Sequence, residues 1–200
     1  MLKVTKFGGS SLCDSAGFSR VREIVLADPA RRVVVVSAAG RRHAADHKIT
    51  DLLYLCHAHL TYGVSCADIL AAIRSRFVSI RDELGLSCRV EDEFDAYAAT
   101  LSRDTSVDEL VSRGEYFTAR LMAETLGYAF VDAADCVFFG FDGQFDRART
   151  DAAIADALEK NGKLVLPGFY GRVPTGKIKV MTRGGSDITG ALAAAAVNAD

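Results

Sequence analysis

Near the start of the chain a cation, two adjacent glycines and two hydroxyls follow one another in the segment Lys6-Phe-Gly-Gly-Ser-Ser11. A strand-like alternation of apolar residues precedes this segment, and a helical apolar repeat follows it at 18–26. Adjacent glycines let backbone amides approach an anion, and a helix start adds unpaired amides and a positive dipole end. The segment therefore predicts a phosphate cradle, with a tight turn beside a solvated lysine as the other interpretation. The cradle residues would be Lys6, Gly8, Gly9 and Ser10.

A second turn near the end of the chain, Thr182-Arg-Gly-Gly-Ser-Asp187, repeats this combination of basic residue, paired glycines, hydroxyl and helix start. Ser186 is predicted to cap the alanine-rich helix at 188–197. Two such turns in one parallel sheet can place two anion sites beside one crevice, which suits phosphoryl transfer. The planar fork of Arg183 suits a carboxylate, and a surface cation near a turn is the alternative.

Polar residues between the two turns could cap helices or contact a ligand. Glu115, in the segment Ser112-Arg-Gly-Glu-Tyr116, is predicted at a helix start, where its charge could meet the helix dipole or a substrate ammonium. Ser37 follows the valine run of a predicted strand, and Thr50 opens the next predicted helix. For both hydroxyls, capping and ligand contact are open interpretations.

Strand-like and helix-like segments alternate along the chain, which predicts an α/β fold with a mainly parallel sheet sandwiched by helices. The run Val33-Val-Val-Val36 is typical of a strand buried on both faces. A helical block at about 65–105 is interpreted as an insertion on this scaffold. The predicted strands lie at 2–7, 32–38, 129–131, 137–139 and 163–167, and the later predicted helices at 51–60, 65–84, 89–126 with a break near 103–106, 151–160 and 188–197.

The composition is that of a folded protein, since 50% of the 200 residues are hydrophobic, enough for the core of one domain. The formal net charge of −2 argues against nucleic acid as a partner. No apolar run approaches the roughly 20 residues of a membrane span, and no export leader is recognisable. Five dispersed cysteines without a Cys-x-x-Cys pair indicate reduced thiols and a cytoplasmic location.

Taken together and in this order, the motifs resemble those of the aspartate kinases, members of the amino-acid kinase superfamily. The resemblance runs over essentially all 200 residues, and the combination is specific although each turn alone is weak evidence. The matching stretches are Lys6-Phe-Gly-Gly-Ser-Ser11, Val33-Val-Val-Val-Ser-Ala38, Ile49-Thr-Asp-Leu-Leu53, Arg113-Gly-Glu115 with Ala119-Arg-Leu-Met122, Pro167-Gly-Phe-Tyr-Gly-Arg172 and Arg183-Gly-Gly-Ser-Asp187.

The resemblance implies an amino-acid kinase fold and a transferase that uses ATP to phosphorylate the β-carboxylate of L-aspartate. The product, aspartyl phosphate, would serve lysine, threonine and methionine synthesis. Magnesium would arrive with ATP, held mainly by phosphate oxygens rather than by a metal site of the protein. The implied partners are L-aspartate and ATP, with neither nucleic acid nor membrane, and a homo-oligomer is allowed.

The resemblance also implies a role for each matching residue. Lys6, beside the glycine cradle, would neutralise the phosphates during transfer, and Asp187 would lie close to Lys6 and the reacting groups. Arg183 would hold a substrate carboxylate and Glu115 the substrate ammonium. The residues that assist them would be Ser37, Thr50, Phe169 and Ser186.

In the family, the adenine- and ribose-binding segments follow the second glycine turn, and paired regulatory ACT domains lie further on. Residues 1–200 are therefore interpreted as the N-terminal, substrate-side portion of the kinase domain, without the nucleotide-side segment and ACT domains. The end at Asp200, just past a helix where the pattern calls for a strand, also leads us to expect a truncated chain. Such a chain is expected to fold and to show little or no kinase activity.

One segment departs from the common family pattern and two functional alternatives stay open. The usual glycine-rich link is replaced at 40–48 by a charged segment that resembles a longer variant within the family. His43 and His47 could meet a metal from one helix face, but their charged neighbours favour a solvated loop, and no metal site is predicted. The alternatives are another kinase of the superfamily, acting on glutamate, acetylglutamate, carbamate or a nucleotide, and a non-catalytic fragment that binds an anion or amino acid.

Overall fold

A parallel sheet surrounded by helices is the central feature of the computed structural model, which describes residues 1–182 and 184–199. The strands are β1 (Lys3–Phe7), β2 (Arg31–Val36), β3 (Ala129–Phe130), β4 (Leu164–Pro167), β5 (Tyr170–Arg172) and β6 (Ile178–Val180). The helices are α1 (Ser15–Leu26), α2 (Ile49–Tyr62), α3 (Ala67–Leu84), α4 (Val90–Ala98), α5 (Val107–Leu126), α6 (Ala133–Cys136), α7 (Arg147–Asn161) and α8 (Gly185–Ala196). The sheet has the order β1-β2-β4-β3 with all pairs parallel, and β5 and β6 form a separate antiparallel hairpin.

The sheet separates two hydrophobic layers, because side chains alternate between its faces along each strand. Val34 and Val36 of β2 pack into the layer formed with α1, α2 and α5. Val33 and Val35 pack into the opposite layer, formed with α7 and α8. All four valines are fully buried, as the unbroken run predicts. The predicted α/β fold with a mainly parallel sheet between helices is therefore confirmed.

The helical block predicted at 65–105 forms α3 and α4, which pack mainly on other helices. Three aromatic rings join α3, α4 and α5, with centroids 5.3–6.4 Å apart, and these rings belong to Phe77, Phe94 and Phe117. Helix α3 also contacts α1 and α2. The block therefore extends one helical layer of the sandwich, and its status as an insertion stays a prediction.

The strand predicted at 137–139 is wrong as a regular element. Helix α6 ends at Cys136, and the two residues that follow Val137 make only isolated bridges. The backbone amide of Phe138 donates to the hydroxyl of Thr150 on α7 at 3.0 Å instead of joining a strand ladder. An apolar run can therefore be buried without belonging to a sheet.

The predicted N-cap at Ser186 and the predicted helix start at Glu115 are also wrong. Helix α8 has Gly184 as its N-cap, at φ +83°, and Ser186 lies inside the first turn. Glu115 lies in the middle of α5, because Ser106 caps that helix by accepting a hydrogen bond from a backbone amide of its first turn. Both Ser186 and Glu115 are buried, so capping explains neither side chain.

Candidate active site

The carboxyl ends of β1, β2 and β4 meet at one edge of the sheet, and backbone hydrogen bonds join the segments that leave them. The amide of Ser37 donates to the carbonyl of Phe7 at 3.1 Å, and the amide of Gly168 donates to the carbonyl of Val36 at 2.9 Å. This edge is where open α/β sheets bind ligands. The first glycine turn, the residue after the valine run and Gly168 therefore lie at the same edge, and residues 184–187 of the second turn share a cavity with Lys6 and Ser37.

The turn after β1 packs closely on the segment after β2, which explains the glycines there. A Cβ on Gly9 would lie 2.6 Å from the carbonyl oxygen of Ala38, and one on Gly40 would lie 2.5 Å from the carbonyl oxygen of Gly9. The amide of Gly40 donates to that same carbonyl of Gly9 at 2.9 Å. The absence of side chains at these positions thus allows the two backbones to touch.

A cavity of about 460 Å³ opens between these segments and α5. Its lining combines hydroxyls, two cations and one carboxylate with backbone. The lining residues are Gly9, Ser10, Ser37, Ala38, Ala39, Gly40, Arg41, Lys48, Thr50 and Glu115. We call this space the acceptor cavity, and five of its residues are among those predicted from the sequence.

Glu115 reaches the acceptor cavity because α5 passes very near the end of β2. A Cβ on Gly114 would lie 2.9 Å from the Cβ of Ala38, so glycine permits this approach. The hydroxyl of Thr118, one turn along α5, accepts a hydrogen bond from the amide of Ala39 at 3.1 Å. Two contacts on one helical face therefore hold the Glu115 side chain at the cavity wall.

The Glu115 carboxyl is electrostatically unusual. The residue is only 5% exposed, and its Oε2 atom is buried with no hydrogen-bond partner. Burial raises the pKa of Glu115 to about 8, because a buried carboxylate loses its hydration. A backbone hydrogen bond from Ala38 and the charge of Lys6 lower this pKa by less than burial raises it. A group that carries both a positive charge and hydrogen-bond donors is the natural partner of this carboxyl.

The pKa of Glu115 predicts how the free energy of unfolding depends on pH. Between its ordinary pKa of 4.5 and the folded-state value of about 8, the folded protein binds more protons than the unfolded chain. The contribution of Glu115 to the free energy of unfolding is therefore fully present below pH 4.5 and is lost as pH rises through about 8. We expect Glu115→Gln to remove up to about 1.4 kcal/mol per pH unit of this decline. Urea unfolding of both proteins across this window measures the difference, and parallel pH curves would contradict it.

A second, smaller cavity of about 240 Å³ adjoins the first, and Ser37 lines both. It lies between the end of β1 and the start of α8, and we call it the transfer cavity. Its lining residues are Lys6, Ser37, Phe169, Gly184, Gly185, Ser186 and Asp187. The Nζ atom of Lys6 lies 2.7 Å from Oδ1 of Asp187, with the lysine side chain 25% and the aspartate side chain 70% exposed. The two predicted catalytic residues are thus in direct contact.

Phe169 forms part of the transfer cavity in a strained backbone conformation. Its φ of +80° lies in the left-handed region that a phenylalanine rarely adopts. Two hydrogen bonds hold it there: its amide donates to the hydroxyl of Thr189 at 3.1 Å, and its carbonyl accepts from the amide of Met181 at 2.7 Å. A Cβ on Gly185 would lie 2.9 Å from the Phe169 ring, so α8 starts directly against it.

The chain matches known proteins over its whole length. Residues 1–200 match the model described as the amino acid kinase family. The chain belongs to the amino acid kinase family. Aspartokinase 3 of Bacillus subtilis (strain 168) is 32% identical over 213 residues, covering 100% of this chain and 47% of that protein. Lysine-sensitive aspartokinase 3 of Escherichia coli (strain K12) is 33% identical over 222 residues, covering 98% and 46%.

Two solved structures superpose well on this chain. Clostridium acetobutylicum aspartate kinase has a TM-score of 0.95 at 40% identity, covering 98% of this chain and 46% of that one. E. coli aspartokinase III in complex with aspartate and ADP has a TM-score of 0.78 at 29% identity, covering 100% and 47%. The chain thus spans about half the length of the curated relatives it matches.

The residues singled out by resemblance to the amino acid kinase family divide between the two cavities. Gly9, Ser10, Thr50 and Glu115 line the acceptor cavity, whereas Lys6, Phe169, Ser186 and Asp187 line the transfer cavity. A Cβ on Gly8 would lie 3.8 Å from Nζ of Lys6, so this glycine leaves open space beside the ammonium group. Arg183 lies outside the described residues, and its assignment stays a prediction.

Four charged residues at this site were missed from the sequence. Arg41 and Lys48 line the acceptor cavity, and Asp46 and Arg76 form a buried ion pair behind it. The unusual charge of the 40–48 segment was the available signal for three of them. Arg76 lies on α3, thirty positions from Asp46, and no local pattern marks it.

Two further features concern the described part of the chain as a whole. It contains no group of three or more His, Cys, Asp or Glu side chains arranged to hold a metal ion. None of its helices combines the length and apolar character needed to cross a membrane.

Proposed function

We propose that residues 1–200 form the substrate side of an aspartate kinase, which transfers a phosphoryl group from ATP to the β-carboxylate of L-aspartate. The observation that carries this proposal is the buried carboxyl of Glu115, which lines the acceptor cavity with one oxygen unpartnered. An α-ammonium group would provide both the charge and the hydrogen-bond donors that this oxygen lacks. The aspartokinase relatives, one of them solved with aspartate and ADP, support the same acceptor.

In this proposal the acceptor cavity binds the amino acid. Glu115 binds the ammonium group, and the hydroxyls of Ser37 and Thr50 hydrogen-bond to the substrate. Ser37 lines both cavities, so it lies where the substrate must extend toward the transfer cavity. Arg183 holds a substrate carboxylate with its planar fork. Phe169 and Ser186 shape the side of the site next to α8.

The transfer cavity neutralises negative charge while the β-carboxylate attacks the terminal phosphorus and ADP leaves. Lys6 supplies the positive charge, and Asp187 orients the Lys6 ammonium through their 2.7 Å contact. The space beside Gly8 fits phosphate oxygens, because the nearest atom to a Cβ there would be Nζ of Lys6, at 3.8 Å. Gly9 and Ser10 follow in the same turn and line the acceptor cavity next to it. ATP supplies the phosphoryl group, and the Mg²⁺ that accompanies it is held mainly by phosphate oxygens.

We also propose that the adenine- and ribose-binding segment and the ACT domains belong to the part of the relatives that this chain does not match. Phosphate contacts alone hold a nucleotide weakly and orient it poorly, and misplaced reactants can lose about a hundredfold in rate. Turnover is therefore measured on the protein that carries this chain together with those regions, whereas amino-acid binding is measured on residues 1–200.

The test of the proposed function is a panel of phosphoryl acceptors. We expect kcat/KM for L-aspartate to exceed that for L-glutamate by roughly tenfold or more, since one methylene group is worth about that much in a fitted pocket. N-acetylglutamate and carbamate serve as further acceptors, and hydroxylamine trapping identifies an acyl phosphate product. Equal or faster turnover of any of these other acceptors would refute aspartate as the substrate.

A further inference from the structure

We propose that the 40–48 segment is a fixed wall of the acceptor cavity, on which Arg41 and Lys48 bind an acidic group of the amino-acid substrate. In this proposal Asp46 and Arg76 are positioning residues that hold the wall in place. The inference rests on the proposed function and deepens it, because it assigns residues that the motifs do not include to the carboxylate of the substrate that does not face the transfer cavity.

The wall is anchored from behind by one buried guanidinium. Arg76, only 5% exposed, donates to the carbonyl of Gly40 at 2.9 Å and to both carboxylate oxygens of Asp46 at 2.8 and 2.7 Å. The Asp46 side chain is 9% exposed. A single side chain of α3 thus fixes the first residue of the segment and a residue near its end.

Further hydrogen bonds complete the anchoring from the other side. The amide and the guanidinium of Arg42 both donate to Asp46 Oδ2 at 2.9 Å. Gly40, which Arg76 binds through its carbonyl, also donates its amide to the carbonyl of Gly9 in the first glycine turn. The amide of Ile49 donates to the carbonyl of Ala39 at 3.2 Å and closes the segment. The segment is therefore the exposed loop predicted from the sequence, with residues 41–45, 47 and 48 exposed, and it is anchored at Gly40 and Asp46.

The two cations on the cavity side of the wall are available to bind a ligand. Arg41 and Lys48 both line the acceptor cavity, and neither has an ion pair with any residue in the described ranges 1–182 and 184–199. The acidic residue on the same lining is Glu115, which the proposed function assigns to an ammonium group. With Glu115 on the ammonium group and the β-carboxylate facing Lys6, the group left for the two cations is the α-carboxylate, which they would bind together with Arg183.

The first experiment measures L-aspartate binding to residues 1–200 by calorimetry, with Lys48→Gln and Arg41→Gln. Both side chains are exposed, so folding is unaffected by their loss. Each substitution is expected to raise the Kd for aspartate about tenfold, which is the loss of one charge-assisted hydrogen bond. Asparagine and isoasparagine each lack one carboxylate, and the amide that lacks the group bound by the wall should bind variant and wild type alike. Lys177→Gln, on the β5–β6 turn, is the control for loss of one exposed lysine.

Unchanged aspartate affinity in both cation variants would overturn the inference, and so would equal losses for aspartate and both amides. If the wild-type protein itself binds no aspartate, the proposed function fails, whereas aspartate binding that ignores Arg41 and Lys48 contradicts only this inference. The two failures are therefore distinguishable in one series of titrations.

The second experiment tests Asp46 and Arg76 as positioning residues. Asp46→Asn and Arg76→Lys are expected to raise KM for aspartate roughly tenfold while KM for ATP changes little, since the wall lies on the acceptor side. Each effect should shrink when Lys48→Gln is already present, because residues that act through one another are not additive. The matched control is Arg74→Gln, because Arg74 lies on α3 like Arg76 and its ion pair with Asp95 of α4 is exposed. If the effects of Asp46→Asn and Arg76→Lys add fully to that of Lys48→Gln, or if both KM values change equally, the pair of Asp46 and Arg76 is merely structural and the inference is wrong.

Discussion

Replacing Lys6 with methionine, in a protein that carries residues 1–200 together with the proposed nucleotide-side segment, is expected to lower kcat about a hundredfold or more, with a smaller effect on KM for aspartate. The Lys6 ammonium lies in the transfer cavity, 2.7 Å from Asp187 and beside the open space at Gly8. In the proposed reaction negative charge shifts between oxygens at this point, and losing one preorganised stabiliser costs on the order of 3 kcal/mol. Methionine keeps the length and the apolar stem of lysine, so the change isolates the charge. Steady-state kinetics with ATP and L-aspartate measure the effect.

The matched control for Lys6→Met lies on the same strand. Lys3 is also in β1 and also pairs with an aspartate, Asp28 at 2.8 Å, but it lines neither cavity. Lys3→Met should therefore leave kcat within about twofold of the wild-type value. If Lys6→Met retains near-normal turnover, or if Lys3→Met loses as much, the catalytic assignment of Lys6 is wrong.

The second large effect is expected from Glu115→Gln, which should weaken L-aspartate binding by about a hundredfold. The substitution keeps the shape of the side chain and removes the charge that would meet the ammonium group in a buried place, where an unpaired charge costs about 3–5 kcal/mol. Because the pKa of Glu115 in the empty site is about 8, the carboxyl is protonated near neutral pH, and binding of the ammonium would ionise it. Aspartate binding to the wild-type protein should therefore release a proton.

Calorimetry of aspartate binding in two buffers with different ionisation enthalpies counts the released protons. The wild-type protein should release nearly one proton per aspartate at about pH 7, and Glu115→Gln should release none. Glu109→Gln, an exposed position on the same helix, should match the wild type in both affinity and proton release. Proton release that persists in Glu115→Gln would assign it to another group and remove the proposed role of Glu115.

The elements that position the site could be predicted because each has a local signal. The valine run of β2 is buried on both faces, and the paired glycines mark the places where the chain leaves β1 and enters α8. Parallel strands bring their carboxyl ends to one edge, so the prediction that both turns share a crevice followed from the fold class. The pairing of Lys6 with Asp187 agrees with the position that the family resemblance implied.

The remaining features of the site depend on contacts between distant parts of the chain, which the local sequence does not encode. The pattern placed Glu115 at a helix start, whereas α5 begins eight residues earlier, at Val107, and carries the carboxyl to the cavity wall. The strained backbone of Phe169 follows from its packing against the start of α8. The ion pair of Asp46 and Arg76 joins two separate segments and turns a charged stretch into a cavity wall. Long-range packing decides each of these features.

The measurement that tests the central claim most directly is a crystal structure of residues 1–200 with L-aspartate bound. We predict that the amino acid lies in the acceptor cavity, with its ammonium nitrogen about 3 Å from Oε2 of Glu115. One carboxylate should face the opening toward Lys6 that Ser37 borders. Aspartate bound elsewhere, or bound in this cavity with its ammonium group away from Glu115, would contradict the account.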